Sequence, residues 1–191
     1  MVVSAGTGAG RASAGPHSSL RWLPFGAAVF AAQLALIHGV VLADSSGESL
    51  RYLLPAAHLI LVPFLVANRW FWGMRIVLAG LLMNLAAMLA NGGLMPVEAD
   101  AVAAVGRHDV SALEVGSPVP GTKNVLLEAN DIRLRALSDR IILPVPRPMT
   151  KALSLGDIFV FSGVAVAFAE VVLRQTSQSK RMTPGHLADI R

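Results

Sequence analysis

Cysteine is absent from the 191 residues, which excludes disulfides, thiolate metal sites and cysteine nucleophiles and leaves no mark of a redox compartment. Charge is nearly as scarce. Charged residues make up 15% of the chain, where an ordinary soluble domain carries about 25%. Much of the surface must therefore face something other than water. The signatures H-E-x-x-H, G-x-S-x-G and G-x-x-x-x-G-K-[ST] are also missing. Their absence argues against hydrolytic or nucleotide-driven chemistry, and the expectation is a protein that is not an enzyme. No internal repeat is visible.

What is present is apolar. Residues of the AVILMFWYC set form 54% of the chain, and the mean hydropathy is +0.59. The net charge is +4, with a pI near 10.3. The basic side chains punctuate apolar segments instead of forming one stripe, as topology-setting charges do, and this argues against a nucleic-acid partner. The lipid bilayer is the expected partner, and abundant Ala and Gly favour a further membrane protein or a second copy beside it.

Four apolar segments stand out: Trp22–Ala43 with 22 residues, Tyr52–Asn68 with 17, Ile76–Val97 with 22 and Leu155–Leu173 with 19. Roughly 20 helical residues cross a hydrocarbon core about 30 Å thick. Three segments have that length; the second is marginal and holds Pro55 and Pro63. The first segment has a rival reading as a signal peptide, since Arg11 and Arg21 precede it and Val41-Leu42-Ala43 resembles a cleavage site. Its length exceeds the usual apolar core of a signal peptide, about 7–15 residues, so a retained span is expected. The glycines of Gly6-Thr-Gly-Ala-Gly10 have the wrong spacing for a dinucleotide loop and follow no strand, which leaves a flexible tail.

The fold expected is an all-α, polytopic membrane bundle of about four transmembrane helices with a long, partly helical loop outside the membrane. Residues 1–19 form a tail, 20–97 hold three spans, 98–153 the loop, 154–174 the fourth span and 175–191 a second tail. With the N-terminus inside, the inner segments carry Arg11, Arg21, Arg69, Arg75, Arg174, Lys180, Arg181 and Arg191. The segment Glu98–Lys151 balances seven basic against seven acidic residues. The positive-inside rule then places both termini in the cytoplasm of a bacterial cell and the loop outside its cytoplasmic membrane. Within the loop, a short helix over Val97–Val105 should end at Gly106, and Val115–Gly121 reads as a linker. Lys123–Leu143 has partly helical spacing through Leu126, Leu134, Leu137 and Ile141, and Pro144, Pro146 and Pro148 impose an extended return. Ser154-Leu-Gly-Asp157 is a capping box that starts the last helix.

The most specific local pattern is Asn91-Gly92-Gly93-Leu94-Met95-Pro96. It reads as a helix stop, and alternatively as exposed backbone N–H groups that grip a polar ligand at the outer face. This motif, Lys123, Leu137-Ser-Asp139 through Pro144 and Ser154-Leu-Gly-Asp157 together resemble a bacterial membrane-protein family catalogued as domain of unknown function 5317. The resemblance spans about residues 51–173 and implies a topology without a known activity. It groups Asn91, Gly92, Gly93, Met95, Pro96, Lys123, Asp139 and Asp157 as a candidate outer-face binding or structural site. We expect Lys123 to reach a carboxylate of this set or the carbonyls at Asn91–Gly93.

His38 and His58 sit at similar depth in adjacent spans. They are candidate ligands for haem or another metal, or for a quinone. The simpler reading gives each neutral ring a backbone carbonyl, and no cofactor is expected. Gln33 and Asn84 read as interhelical hydrogen-bonding groups, Glu170 as a snorkelling acid or one paired with Arg174, and Trp70 and Trp72 as interfacial anchors beside Arg69 and Arg75. Ala86 with Ala90, and Gly163 with Ala167, permit close helix approach. The leading functional expectation is a non-enzymatic membrane component or accessory subunit that binds a partner or small ligand at its outer face. The alternatives are a small transporter or lipid-handling protein, and a membrane redox protein that uses His38 and His58.

Overall fold

The computed structural model describes residues 48–143, 145–146 and 150–181, together with Ala31 and Ala35. The first apolar segment, apart from those two helical alanines, lies outside the described residues, and so do His38 and Gln33. Three described helices are long and apolar enough to cross a membrane: α1 (Glu48–Ala67), α2 (Trp72–Ala90) and the Leu155–Arg174 part of α4 (Leu155–Arg181). The marginal second segment forms one of these three helices. α1 starts at Glu48, ahead of the uncharged run, and its 20 residues suffice to cross. Glu48 and Arg51, one turn apart, lie at 3.5 Å, so this first turn brings its own charge partner.

α2 stops earlier than the hydropathy alone suggests, at Ala90 and not at Val97. Gly92 and Gly93 both take positive φ, 81° and 94°, and the Gly93 N–H closes back on the Met88 carbonyl at 2.7 Å. A residue with a Cβ is disfavoured in that conformation. Gly93 is needed twice over, because any Cβ there would overlap the backbone carbonyl of Arg51 on α1. Pro55 lacks the N–H that would otherwise bond that same carbonyl, so glycine backbone fills the place.

Freed from the helix, the next residues form β1 (Met95–Val97), which pairs in parallel with β2 (Asn124–Leu126) in the register Met95↔Asn124 to Val97↔Leu126. A short α3 (Ala99–Val105) follows and ends at Gly106 in the left-handed conformation, as expected. Val97 belongs to β1 and not to this helix, since its carbonyl accepts from the Leu127 N–H. β3 (Ile141–Ile142) and β4 (Ala152–Leu153) pair antiparallel and close the segment just before α4.

The described structure is mostly helical, as expected, with four short strands added. The bundle is helical, but the connecting segment is a small mixed layer. The partly helical reading of Lys123–Leu143 fails for a local reason. Val125 and Leu126 pair with β1, Leu134 takes a left-handed φ of 56°, and helix survives only as a 3-10 turn at Arg135–Leu137. Leu126 is buried while Leu134 and Ile141 are exposed, so the four apolar positions do not share a face.

Leu50 and Leu54 of α1, Ala87 and Met88 of α2, and Leu94, Met95 and Val125 of the layer form one continuous core. Each large side chain there gains about 1.5–3 kcal/mol from full burial, and this shared cluster fastens the layer to the bundle. A second cluster (Val97, Ala101, Val102, Val119, Leu126) gives the layer its own interior.

α2 and α4 pack along a seam of small residues. Gly73 and Gly80 of α2 meet Ala167 and Gly156 of α4, and Gly163 lies between them against Val77. A Cβ at Gly80 would lie 2.5 Å from the Gly156 carbonyl oxygen, and one at Gly163 would lie 2.6 Å from the Val77 nitrogen. Small residues let helix backbones approach in this way. Gly163 and Ala167 serve as expected. Of the pair expected on α2, Ala86 is exposed and Ala90 half-buried; the small residues buried there are Gly73, Gly80 and Ala87.

Candidate functional site

The site begins at the start of α4. The Asp157 N–H donates to Ser154 Oγ at 2.9 Å, and the Ser154 N–H donates to Asp157 Oδ2 at 3.2 Å, completing the capping box. Both side chains then reach beyond their own helix. Asn84 of α2 donates from Nδ2 to Asp157 Oδ1 at 2.8 Å and accepts from Ser154 Oγ at 2.8 Å. These two bonds fix the amide's orientation, because only its nitrogen can donate to a carboxylate. Asn84 is thus the interhelical group that its place in an apolar helix suggested.

From Asp157 the network continues into the layer. Lys123 Nζ lies 3.4 Å from Asp157 Oδ2 and 3.4 Å from Asp139 Oδ2. The next residue, Asn124, donates from Nδ2 to Asp139 Oδ2 at 2.7 Å, and the Asp139 N–H bonds the Pro96 carbonyl at 3.1 Å. Lys123 and Asn124 stand at the start of β2, and the pairing of β2 with β1 puts them beside Asn84's end of the bundle.

Asp139 is 1% exposed, and its Oδ1 is buried without a hydrogen-bond partner among the described residues. An oxygen left in that state costs on the order of 1–3 kcal/mol. Burial pushes the Asp139 carboxyl above the ordinary carboxylate range; Asp157 adds to this, and together they outweigh the pull of Lys123 and Asn124. Burial pushes the Lys123 ammonium down, but the two carboxylates more than offset it and hold Lys123 above its ordinary value.

Asp139 and Lys123 also line a cavity of about 420 Å³ in the layer. Its apolar lining comes from Val97, Ala101, Val102 and Val105 of α3 and its flanks, with Val119 and Ala152. Arg107, His108 and Lys151 line it as well. A volume in the range of roughly 300–1,000 Å³, mostly apolar with a few convergent polar groups, is the usual form of a small-molecule site.

The family model described as "Family of unknown function (DUF5317)" matches residues 17–169. The chain belongs to DUF5317. The match extends further towards the N-terminus than the motifs over 51–173 do, and takes in the first apolar segment. No curated protein and no solved structure matches the chain.

Within this DUF5317 chain the residues singled out from sequence separate into two groups. Lys123, Asp139 and Asp157 come together. Met95 and Pro96 meet them through backbone alone, the Met95 N–H donating to the Lys123 carbonyl and the Pro96 carbonyl accepting from the Asp139 N–H, both at 3.1 Å, while Asn91, Gly92 and Gly93 lie elsewhere. Asn91 instead clamps the layer, its Nδ2 donating to the Ala87 carbonyl at 2.7 Å and to the Arg133 carbonyl at 2.8 Å, and its Oδ1 accepting from the Arg133 N–H at 2.9 Å. Met95 and Pro96 are buried in the core.

His58 donates from Nδ1 to the Leu54 carbonyl at 2.8 Å, the simpler of its two readings, within electrostatic reach of Lys123 and Asp157. No group of three or more His, Asp or Glu side chains placed to hold a metal occurs among the described residues.

At the opposite end of the bundle, Glu170 is neither merely snorkelling nor tied only to its own helix. It caps α2, accepting from the Trp72 N–H at 3.1 Å and the Gly73 N–H at 2.9 Å, where the helix dipole favours a carboxylate. Arg69 and Arg75 lie over Trp70 and Trp72 at 5.4 and 4.6 Å, and Arg174 over Phe71 at 4.3 Å. Asn124, Arg107, His108 and Lys151 carry no local signal that marks them as site residues, because a cavity lining has no sequence periodicity.

Proposed function

We propose that this DUF5317 chain is a non-enzymatic component of a bacterial cytoplasmic membrane that binds a small amphipathic ligand at its outer face. In this reading both termini lie in the cytoplasm, and the layer carrying the cavity lies outside. The carrying observation is the cavity itself, whose lining combines apolar residues with Lys123 and Asp139. That polar end continues through Asp157 to Asn84, so occupancy of the cavity bears on the α2–α4 pair. The exposed apolar side chains of α4, among them Phe161, Val164, Phe168 and Leu173, suit a lipid-facing surface.

Transport is the weaker reading. Below Asn84 the α2–α4 seam runs through Gly80, Val77 and Gly73, and the next acid, Glu170, is engaged as a helix cap. Among the described residues of that seam, a polar path between the faces has nothing to run along.

Native mass spectrometry of the full chain, extracted in mild detergent, tests the proposal. A bound small molecule is expected on the wild type and lost from Val102→Trp, which fills the cavity. No bound molecule on the wild type, or equal occupancy in both proteins, overturns it.

A further inference from the structure

The end of the bundle opposite the layer carries Arg69, Arg75 and Arg174 against one described acid, Glu170, whose carboxylate is engaged by the Trp72 and Gly73 N–H groups. Among the described residues Arg69 and Arg75 have no ion pair, whereas Arg51, Lys123 and Arg135 towards the other end each meet a carboxylate. Arg75 also stands in the first turn of α2, where the helix dipole disfavours a cation. Its charge is therefore not there to stabilise the helix.

Positive charge on this side suffices to set topology, but that role needs no fixed geometry. Here the geometry is fixed. Arg69 lies over Trp70, Arg75 over Trp72 and Arg174 over Phe71. Arg75 Nε donates to the Arg69 carbonyl at 2.6 Å, which ties the two arginines together and leaves the terminal nitrogens of Arg75 to other acceptors. A ring against the flat face of a guanidinium leaves its N–H edge able to fork two oxygens of a phosphate. Trp70 and Trp72 are themselves 48% and 66% exposed, as amphipathic rings are at headgroup depth.

We infer that this collar binds an anionic phospholipid, its phosphate held by the guanidiniums of Arg69 and Arg75 and its apolar part lying against Trp70 and Trp72. The site is separate from the cavity, which lies in the layer at the other end of the bundle, and it does not depend on what the cavity holds.

Native mass spectrometry of the full chain, in mild detergent with equal amounts of phosphatidylglycerol and phosphatidylcholine, reads the preference. The wild type should retain phosphatidylglycerol in about fivefold excess or more, the effect of roughly one guanidinium at an anionic surface. Arg69→Lys combined with Arg75→Lys keeps every positive charge, and with it the topology signal, but lacks the planar fork. In that variant the excess should fall towards equality. Trp72→Leu removes the ring beside Arg75 and should lower the excess as well. Lys151→Gln, an exposed charge lost from the layer, should leave it unchanged.

Equal retention of the two lipids by the wild type overturns the inference. So does an undiminished excess in the double lysine variant, which would mean that charge alone acts. An excess that disappears in Lys151→Gln would put the lipid in the cavity and overturns it too.

Discussion

Lys123 and Asp157 are 34 positions apart in the chain and meet at 3.4 Å, the lysine brought by the residue that leads into strand β2 and the aspartate by the first turn of α4. Asp139 lies at the same distance from the same nitrogen. One ammonium between two carboxylates thus joins the layer to the bundle, and the joint leaves a buried excess of negative charge.

That joint predicts coupling. Lys123→Met leaves two facing carboxylates, and Asp139→Asn leaves Lys123 with one. Removing one partner of a buried pair costs about 3–5 kcal/mol, and the partial exposure of Lys123 reduces this to roughly 1–3 kcal/mol here. A double-mutant cycle between the two, read by thermal unfolding in detergent, should show a coupling energy of about 1 kcal/mol or more. Strict additivity would mean that the two side chains do not interact.

The acid–base behaviour follows from Asp139. Its folded value is raised, so the stability it contributes is fully present below the ordinary carboxylate value of about 3.9 and is lost as pH rises through the folded value. Lys123 is raised and titrates only above its ordinary range, outside this window. The wild type should therefore lose stability relative to Asp139→Asn as pH climbs from about 4 towards neutrality. Glu98 acts in the opposite sense. Its bonds from Arg135 at 2.9 and 2.7 Å depress it, so its contribution is present above about 4.3 and disappears as pH falls. Unfolding midpoints across pH for the wild type, Asp139→Asn and Glu98→Gln separate the two. A wild type that gains stability over Asp139→Asn as pH rises contradicts the assignment.

Gly92 and Gly93 share positive φ but not surroundings. At Gly92 an added Cβ meets the end of the Arg51 side chain at 3.3 Å, which can move; at Gly93 it meets Arg51 backbone, which cannot. Each Ala substitution bears the left-handed strain of about 1–2 kcal/mol. Gly93→Ala should cost clearly more than Gly92→Ala in melting temperature. Equal losses would leave backbone conformation as the whole explanation.

Along the α2–α4 seam, Gly80→Ala forces a Cβ against the Gly156 carbonyl and should destabilise by about 1–3 kcal/mol. Ala86→Val, on the exposed face of α2, should stay within about 0.5 kcal/mol. Unfolding titrations in mixed micelles would show the contrast, and matching losses would argue against the seam as the tight contact.

Orientation is open to direct labelling, since the native chain has no cysteine. Ser111→Cys in the layer should react with a membrane-impermeant thiol reagent in intact cells. Ser177→Cys, in the last turns of α4, should react only after permeabilisation. The reverse pattern inverts the topology.

Apolar length located the helices α2 and α4 and left α1 marginal at 17 residues, because a helix long enough to cross a bilayer is a local property of about 20 consecutive residues. Two boundaries were equally local. Asn91-Gly92-Gly93 stops α2 through backbone conformation, and Ser154 with Asp157 starts α4 through hydrogen bonds three residues apart. The family motifs, scattered along the chain, already grouped Lys123 with Asp139 and Asp157.

Tertiary structure decided the rest. β1 and β2 are three residues each, too short to show a period, and they pair in parallel across an intervening helix. Ala87 is buried and Ala86 is not, because hydropathy does not distinguish two adjacent alanines while the rotation of a packed helix does. Glu170 caps a helix 97 positions away, and the cavity draws its lining from four separated stretches. Such neighbours share no sequence spacing; they meet only because buried apolar surface on both sides of the layer fixes where each stretch can lie.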